Sequence, residues 1–368
     1  DDYDSVCMKL KNLALNLMYL KKQVISNPKL FLKEHPEVKK YLKWSSVTRP
    51  EESLIKVIKE RLNLALSDLG RCILDRSMLE EDEDNDYYDY AKESYSRIGK
   101  YIVHTTELSL DRLEYLVMKF RKLWNKTLQN MRPESLYLEL AAYILGGYLI
   151  TLALMGKHRD VDELLKDHGW LLSKDVDEQW NVVIRFALKY LGMKIDVPND
   201  KEVLRVVWEK VDPMFLPALA TILNMPVMMD EPICRESEAL ENTLLCIAYN
   251  AVVGNKTAEE KVRQKIIARL SNAGVPRDIL ESASTRQLIE VFAPRTSSSR
   301  FILLLRALAS GDKDLARLHA EVEYVRLSHV KSGKLIRKLF GELANALRNN
   351  DEDKIKLTIA KLYHLRFR

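Results

Sequence analysis

The chain has 368 residues, 47% of them apolar and 30% charged, with a formal net charge of +5. That composition excludes an intrinsically disordered chain and supplies core for two or three domains, or for one elongated stack of repeated units. The four cysteines, Cys7, Cys72, Cys234 and Cys246, have no C-x-x-C spacing, so neither a zinc site nor a disulfide framework is expected, and a reducing, cytoplasmic setting is the simpler reading.

Apolar residues recur at helical spacing along nearly the whole chain, and no run alternates with period two. This predicts an all-α fold of antiparallel helix hairpins, arranged as an α-solenoid or as a multi-helix bundle. In the N-terminal region, residues 1–131, Thr48-Arg49-Pro50-Glu51 has the form of a helix start, with Thr and Glu in capping-box spacing and Pro in the first turn. From Glu80 the sequence reads E-E-D-E-D-N-D-Y-Y-D-Y, an acidic bend before the next helix. Ser109 is placed to cap a helix from Leu110, whose apolar stripe is Leu113, Val117, Phe120, Trp124 and Leu128, with Arg112, Lys119 and Lys126 on the other side.

Arg132-Pro133 opens a middle region, 132–255. Its longest uncharged run, from Leu140 to Gly156, is shorter than the roughly 20 residues a bilayer span needs, so no membrane span is expected and the run predicts a helix buried on all sides. Ala142 and Gly146 would allow a neighbouring helix to approach closely. The helical period breaks at Ile195–Asp200 and at Pro226–Pro232. A C-terminal region, 256–368, then starts with Thr257-Ala258-Glu259-Glu260 and breaks again over Ala293–Ser299.

The segments Ala307–Asp314 and Ala346–Asp353 share A-L-x-x-[G/N]-D-x-D at a separation of 39 residues, with a looser third member at Ala153–Asp160. Each reads as a helix ending at a small or Asn residue tolerant of left-handed backbone, followed at once by an Asp that caps the next helix. On these residues the chain resembles tetratricopeptide-like and related α-solenoid proteins, whose helix pairs join through such turns. The resemblance covers about the last 70 residues and the helix pair after Pro133; it implies an extended surface for binding another macromolecule, a protein before others.

Chemistry is sparse. Asp82, Asp84, Asp86 and Glu93 fall at positions 1, 3, 5 and 12 of a loop that resembles the EF-hand calcium loop, which would make Ca2+ an alternative to having no cofactor at all; Tyr87 stands where that loop turns on a glycine. Arg97 and His104 form R-x6-H, which resembles the catalytic pair of HEPN-domain ribonucleases. That resemblance implies His as acid or base, Arg on the phosphate, and no metal. His319 and Glu323, four apart, have no second His-carboxylate pair to complete a dinuclear metal site, and His329 continues the stripe Leu315, Leu318, Val322 and Val325 as a packed residue. Phosphate-binding glycine loops and the usual hydrolase motifs do not occur, which points to a protein without catalytic function.

Charge is segregated. From Arg295 to Arg368 there are 16 Lys and Arg against 8 Asp and Glu, a balance of +8 that leaves the rest of the chain at −3. Lys354, Lys361 and Arg368 recur at steps of seven and are expected on one polar helix face, extended by Lys334, Arg337, Lys338 and Arg348, with Tyr363, His364 and Phe367 among them. Such a face would attract nucleic-acid phosphates, with aromatic rings to stack on bases. Abundant Lys, Arg and Glu beside scarce Gln fit a thermophilic source.

Overall fold

The computed structural model describes residues 3–42, 49–77, 87–213, 215–224 and 247–365, and over these the chain is all-α. Among the described residues the β-type pairing is an isolated antiparallel bridge between Val211 and Pro294. The chain divides into two compact units: 1–97 with 118–148 and 164–178, and 98–117 with 149–163 and 179–368.

The first unit opens with α1 (Tyr3–Ser26), α2 (Pro28–Glu34) and α3 (Pro50–Ser77). α2 starts where the Asn27 side chain accepts the Leu30 amide hydrogen at 3.0 Å, and Pro28 occupies a first-turn position whose N–H has no helical partner to lose. Val24, Leu32, Leu42, Leu54 and Ile58 from these segments form one buried cluster. α3 begins at Pro50 as predicted; Thr48 lies outside the described residues, as does the Pro226–Pro232 loop. Cys7 on α1 is disulfide-bonded. The cysteine spacing predicts no disulfide framework, but spacing carries no information on which thiols folding brings together.

Next come α4 (Tyr87–His104), α5 (Leu110–Gln129), α6 (Ser135–Leu154), α7 (His158–His168) and α8 (Lys174–Tyr190). At the start of α5 the Arg112 amide donates to Ser109 Oγ at 3.4 Å, and the expected stripe faces inward: Leu113, Val117, Phe120 and Trp124 are buried and Leu128 is half-buried. Within the first unit Tyr95 packs between Phe120 and Tyr143, at ring-centre distances of 6.3 and 4.6 Å. α6 has the length and apolarity of a membrane span, with a mean hydropathy of 1.6, yet 78% of that window is buried inside the fold, as expected of a core helix.

The second unit continues through α9 (Asp200–Val207), α10 (Leu216–Ile222), α11 (Lys256–Ala273), α12 (Arg277–Ser282), α13 (Thr285–Phe292), α14 (Ser297–Ala309), α15 (Lys313–Arg326), α16 (Lys334–Arg348) and α17 (Glu352–Leu365). Three local expectations are corrected here. α11 is capped by Asn255, whose side chain accepts from the Ala258 amide at 3.1 Å, rather than by Thr257, because Asn255 already offers a short acceptor one step outside the helix. α14 starts inside the expected break, where Thr296 and Ser299 form a reciprocal capping box. His329 is exposed: a 3-10 turn at Leu327–His329 ends the α15 stripe and rotates the histidine out of the core register.

The turn motif read from the sequence is a Schellman joint. Gly311 has φ 83°, its N–H reaches Leu308 O at 3.0 Å, and the Asp312 N–H reaches Ala307 O at 2.9 Å. Asp312 then caps α15, accepting from the Leu315 amide at 3.0 Å. Asn350, with φ 54°, repeats the arrangement through Leu347 O and, from Asp351, Ala346 O. At Gly156 the same pair of bonds goes to Ala153 O and, from Lys157, to Leu152 O.

The 39-residue offset extends beyond the joints. It maps α15 onto α17 end to end, Lys313–Arg326 onto Glu352–Leu365, and consecutive helices from α14 to α17 pack on one another. Buried Ala316, Leu318, Ala320 and Val322 fall on buried Ile355, Leu357, Ile359 and Lys361. Two packed hairpins therefore share one register, the local geometry of a helical repeat.

Candidate functional site

The candidate catalytic pair lies on α4. Arg97 and His104 are both exposed, and the Arg97 guanidinium is bonded to the Glu93 carboxylate at 2.5 Å, one turn away. A phosphate would have to displace that carboxylate. Glu93 is accordingly engaged by a cation, and the other calcium candidates, Asp82, Asp84 and Asp86, lie outside the described residues. Among the described residues no group of three or more His, Cys, Asp or Glu could hold a metal ion.

The basic C-terminal set separates into two groups. Lys334, Arg337, Lys338 and Arg348 line one open groove of 750 Å3 along α16, with Tyr324 of α15 on its wall. They meet there because positions 334, 337, 338, 341, 345 and 348 follow one stripe of a helix, while Leu339, Phe340, Leu343 and Leu347 turn inward. Lys361 does not join the exposed face: it is 7% exposed, in the slot that Val322 fills one repeat earlier. Burial lowers its pKa; Glu342 opposes that shift, and Lys338 and Lys354 add to it. Tyr363 and His364 are buried too, at 0% and 4% exposure, so neither offers a face to a base. Lys354 is exposed as expected, and Arg368 and Phe367 lie outside the described residues.

Arg337 is the most constrained cation in the groove. Its guanidinium lies 4.0 Å from the centre of the Tyr324 ring, and its Nε donates to the Tyr324 carbonyl oxygen at 3.0 Å. The ring can lie on α16 because residue 341 is glycine: a Cβ there would come within 2.9 Å of Tyr324 Cδ2. Stacking and one backbone bond thus fix the guanidinium plane. Among the described residues no carboxylate pairs with its terminal amines, and the side chain lines the groove.

The groove also holds two acids. Glu321 is paired with Arg317 at 3.7 Å, and Glu342 sits in the field of Lys361 and one turn from Lys338. Four cations against two acids leave the groove with an excess of positive charge.

A second polar cluster, inside the second unit, is not foreseen by the sequence reading. Arg300 and Glu323, 1% and 0% exposed, pair at 2.9 Å. His319 Nε2 lies 2.7 Å from Glu290 Oε2, and its Nδ1 lies 3.2 Å from Arg300 Nη1. Since a guanidinium only donates, Nδ1 accepts and Nε2 carries the proton, which gives a neutral imidazole. Burial pushes the His319 pKa down against the pull of Glu290. Burial alone would raise the Glu323 carboxyl, and Arg300 and Arg326 outweigh it, holding the group below its ordinary range. Arg306 continues the chain of contacts from Glu290 at 3.3 Å to Asp200 at 2.9 Å. Its centre, Arg300, His319, Glu290 and Glu323, is closed to solvent, its rim of Arg306, Arg326 and Asp200 is partly exposed, and the charges balance: Arg300, Arg306 and Arg326 against Glu290, Glu323 and Asp200. One repeat later, Leu339, Thr358 and Leu362 occupy the places of Arg300, His319 and Glu323, all buried. The i, i+4 spacing of His319 and Glu323 was the available signal; Arg300 and Glu290 come from other helices and could not be paired with them in advance.

No protein-family model matches the chain, and neither do any of the curated proteins or solved structures compared with it.

Proposed function

We propose that the chain is a non-enzymatic helical scaffold that binds another macromolecule, a protein, along the groove of α16. The observation that carries this reading is Arg337, whose guanidinium is fixed by Tyr324 and which lines an open groove with Lys334, Lys338 and Arg348 on the same stripe. A preset donor costs less ordering on binding than a free surface side chain. Packed hairpins α14 to α17 supply the rigid backing that such a surface needs.

The competing reading is nucleic-acid contact through phosphates. The excess charge favours it, and the burial of Tyr363 and His364 weighs against it, because base-stacking platforms supply much of the affinity for single strands. Site-specific photo-crosslinking separates these outcomes. A photoreactive residue at exposed Asn345, inside the groove, is expected to yield protein adducts in cells, while the same residue at exposed Lys265 on α11 yields none. Equal labelling from both positions would remove the groove as a binding surface; nucleic-acid adducts at Asn345 would replace the partner class.

A further inference from the structure

We infer that the occupant of the α16 groove is an acidic peptide segment, laid lengthwise along the helix with a carboxylate held by Arg337; this rests on the groove being the binding surface. Lys334, Arg337, Lys338 and Arg348 line the groove against two acids, Glu321 and Glu342, and Glu321 is already paired with Arg317, so the cations outnumber the acids that face them. A ligand that complements the groove must carry the negative charge itself.

Geometry narrows the ligand further. With Nε spent on the Tyr324 carbonyl, the free edge of the Arg337 guanidinium is the one between its terminal amines, a fork that fits the two oxygens of a carboxylate. Lys334 and Lys338 flank that fork, and Arg348 lies eleven positions further along the same helix, about 16 Å away at 1.5 Å per residue. Between these ends the lining is Gly341, Glu342, Ala344 and Asn345, one acid among small or neutral residues. The pattern is two cationic ends with no cation between them. It suits an acidic helix of about four turns whose carboxylates meet the two ends.

A nucleic-acid strand fits less well. The ring face of Tyr324 toward the groove is taken by Arg337, and Tyr363 is fully buried, so its bases would find no platform.

The test uses the full chain and two fluorescent probes at low salt, read by anisotropy. One is an alanine-based helical peptide of roughly 16 residues with glutamates at three- and four-residue spacing; the other is an oligothymidylate of equal formal charge. The peptide is expected to bind at least about tenfold more tightly than the oligonucleotide. Arg337→Gln should weaken the peptide about tenfold, since a charge-assisted pair is lost. Gly341→Ala, which forces Tyr324 off the helix and releases Arg337, should weaken it several-fold with helicity unchanged. Should Arg337→Gln fail to fold, the exposed double variant Lys334→Gln, Lys338→Gln gives the same readout without touching the core. Oligonucleotide binding as tight as the peptide, no saturable peptide binding, or peptide affinity indifferent to these substitutions overturns the assignment. Cross-linking at Asn345 together with such a failure would leave the groove as a binding surface for a different ligand; absence of cross-linking at Asn345 would remove the groove itself.

Discussion

Arg300 and Glu323 are charged side chains with almost no contact with water, and removing either alone should be destabilising. Glu323→Leu leaves the buried Arg300 guanidinium without its carboxylate and is expected to cost about 3–5 kcal/mol of stability in urea denaturation, whereas Arg300→Leu leaves Glu323 still paired with Arg326 and should cost less. Replacing Arg300, His319 and Glu323 together by Leu, Thr and Leu, the residues found one repeat later, should cost far less than the sum, and a stabilisation of about 1–4 kcal/mol is within the range seen for such exchanges. The histidines set a pH dependence of definite sign. Burial holds His319 below its ordinary pKa and pushes His364 down to about 3. Unfolding in acid therefore takes up protons, so their stabilisation is complete above about pH 6.5 and is lost as the pH falls from there toward the folded values. Urea titrations between about pH 6 and 4 should lose stability as the pH falls, approaching about 1.4 kcal/mol per unit from His364 alone with His319 acting in the same direction, and His364→Leu should remove that share of the slope. Little of this network was visible residue by residue, since its members come from α9, α13, α14 and α15, and the pairs that matter, Arg300 with Glu323 and His319 with Glu290, each join different helices.

Helix by helix, most of what the chain does at its joints was legible, because caps are local chemistry. Ser109 and the Gly311-Asp312 and Asn350-Asp351 joints behave as their residue types dictate. The joints make opposite predictions for neighbouring residue types. Gly311→Ala, at φ 83°, should destabilise by about 1 kcal/mol, whereas Asn350→Gly, at φ 54°, should stabilise by several tenths of a kcal/mol or more. Asp312→Ala should cost about 1 kcal/mol through the lost cap. Thermal unfolding followed by circular dichroism would rank the three. Where the expectation fails, the cause is also local: at His329 a change from α to 3-10 winding moves the register, and at Lys361 the buried side of the helix reaches a position that the seven-residue step assigns to the polar face. The 39-residue echo held the correct answer for Lys361, since it aligns that residue with Val322, a core position. The long lysine stem can follow the apolar wall while its ammonium seeks the surface, which is why a charged residue is tolerated there.

For the molecule as a whole, periodicity was sufficient for the all-α class and composition for the charge segregation, while the groove required coordinates, because a stripe of cations becomes a site only when a wall such as Tyr324 is set beside it. The excess of +8 beyond Arg295 gives this surface a long-range field. Binding of an acidic partner should therefore slow steeply with added salt, and Lys334→Gln and Lys338→Gln should act on the association rate, whereas Arg337→Gln should act on dissociation; stopped-flow traces at two ionic strengths would separate them. The repeated hairpins have one more consequence. Two helices of equal length, joined by the same turn and burying the same positions, invite mispairing during folding: α17 could settle on α14 in place of α15, within one chain or between two. The charges at Arg300, His319 and Glu323 act as an address against that error, since α17 would bring Leu362 to Arg300 and strand its charge. The apolar triple variant loses the address along with the penalty. On refolding at high concentration it is expected to give a larger fraction of exchanged dimers than the native chain, countable by size-exclusion chromatography, even where its final stability is higher.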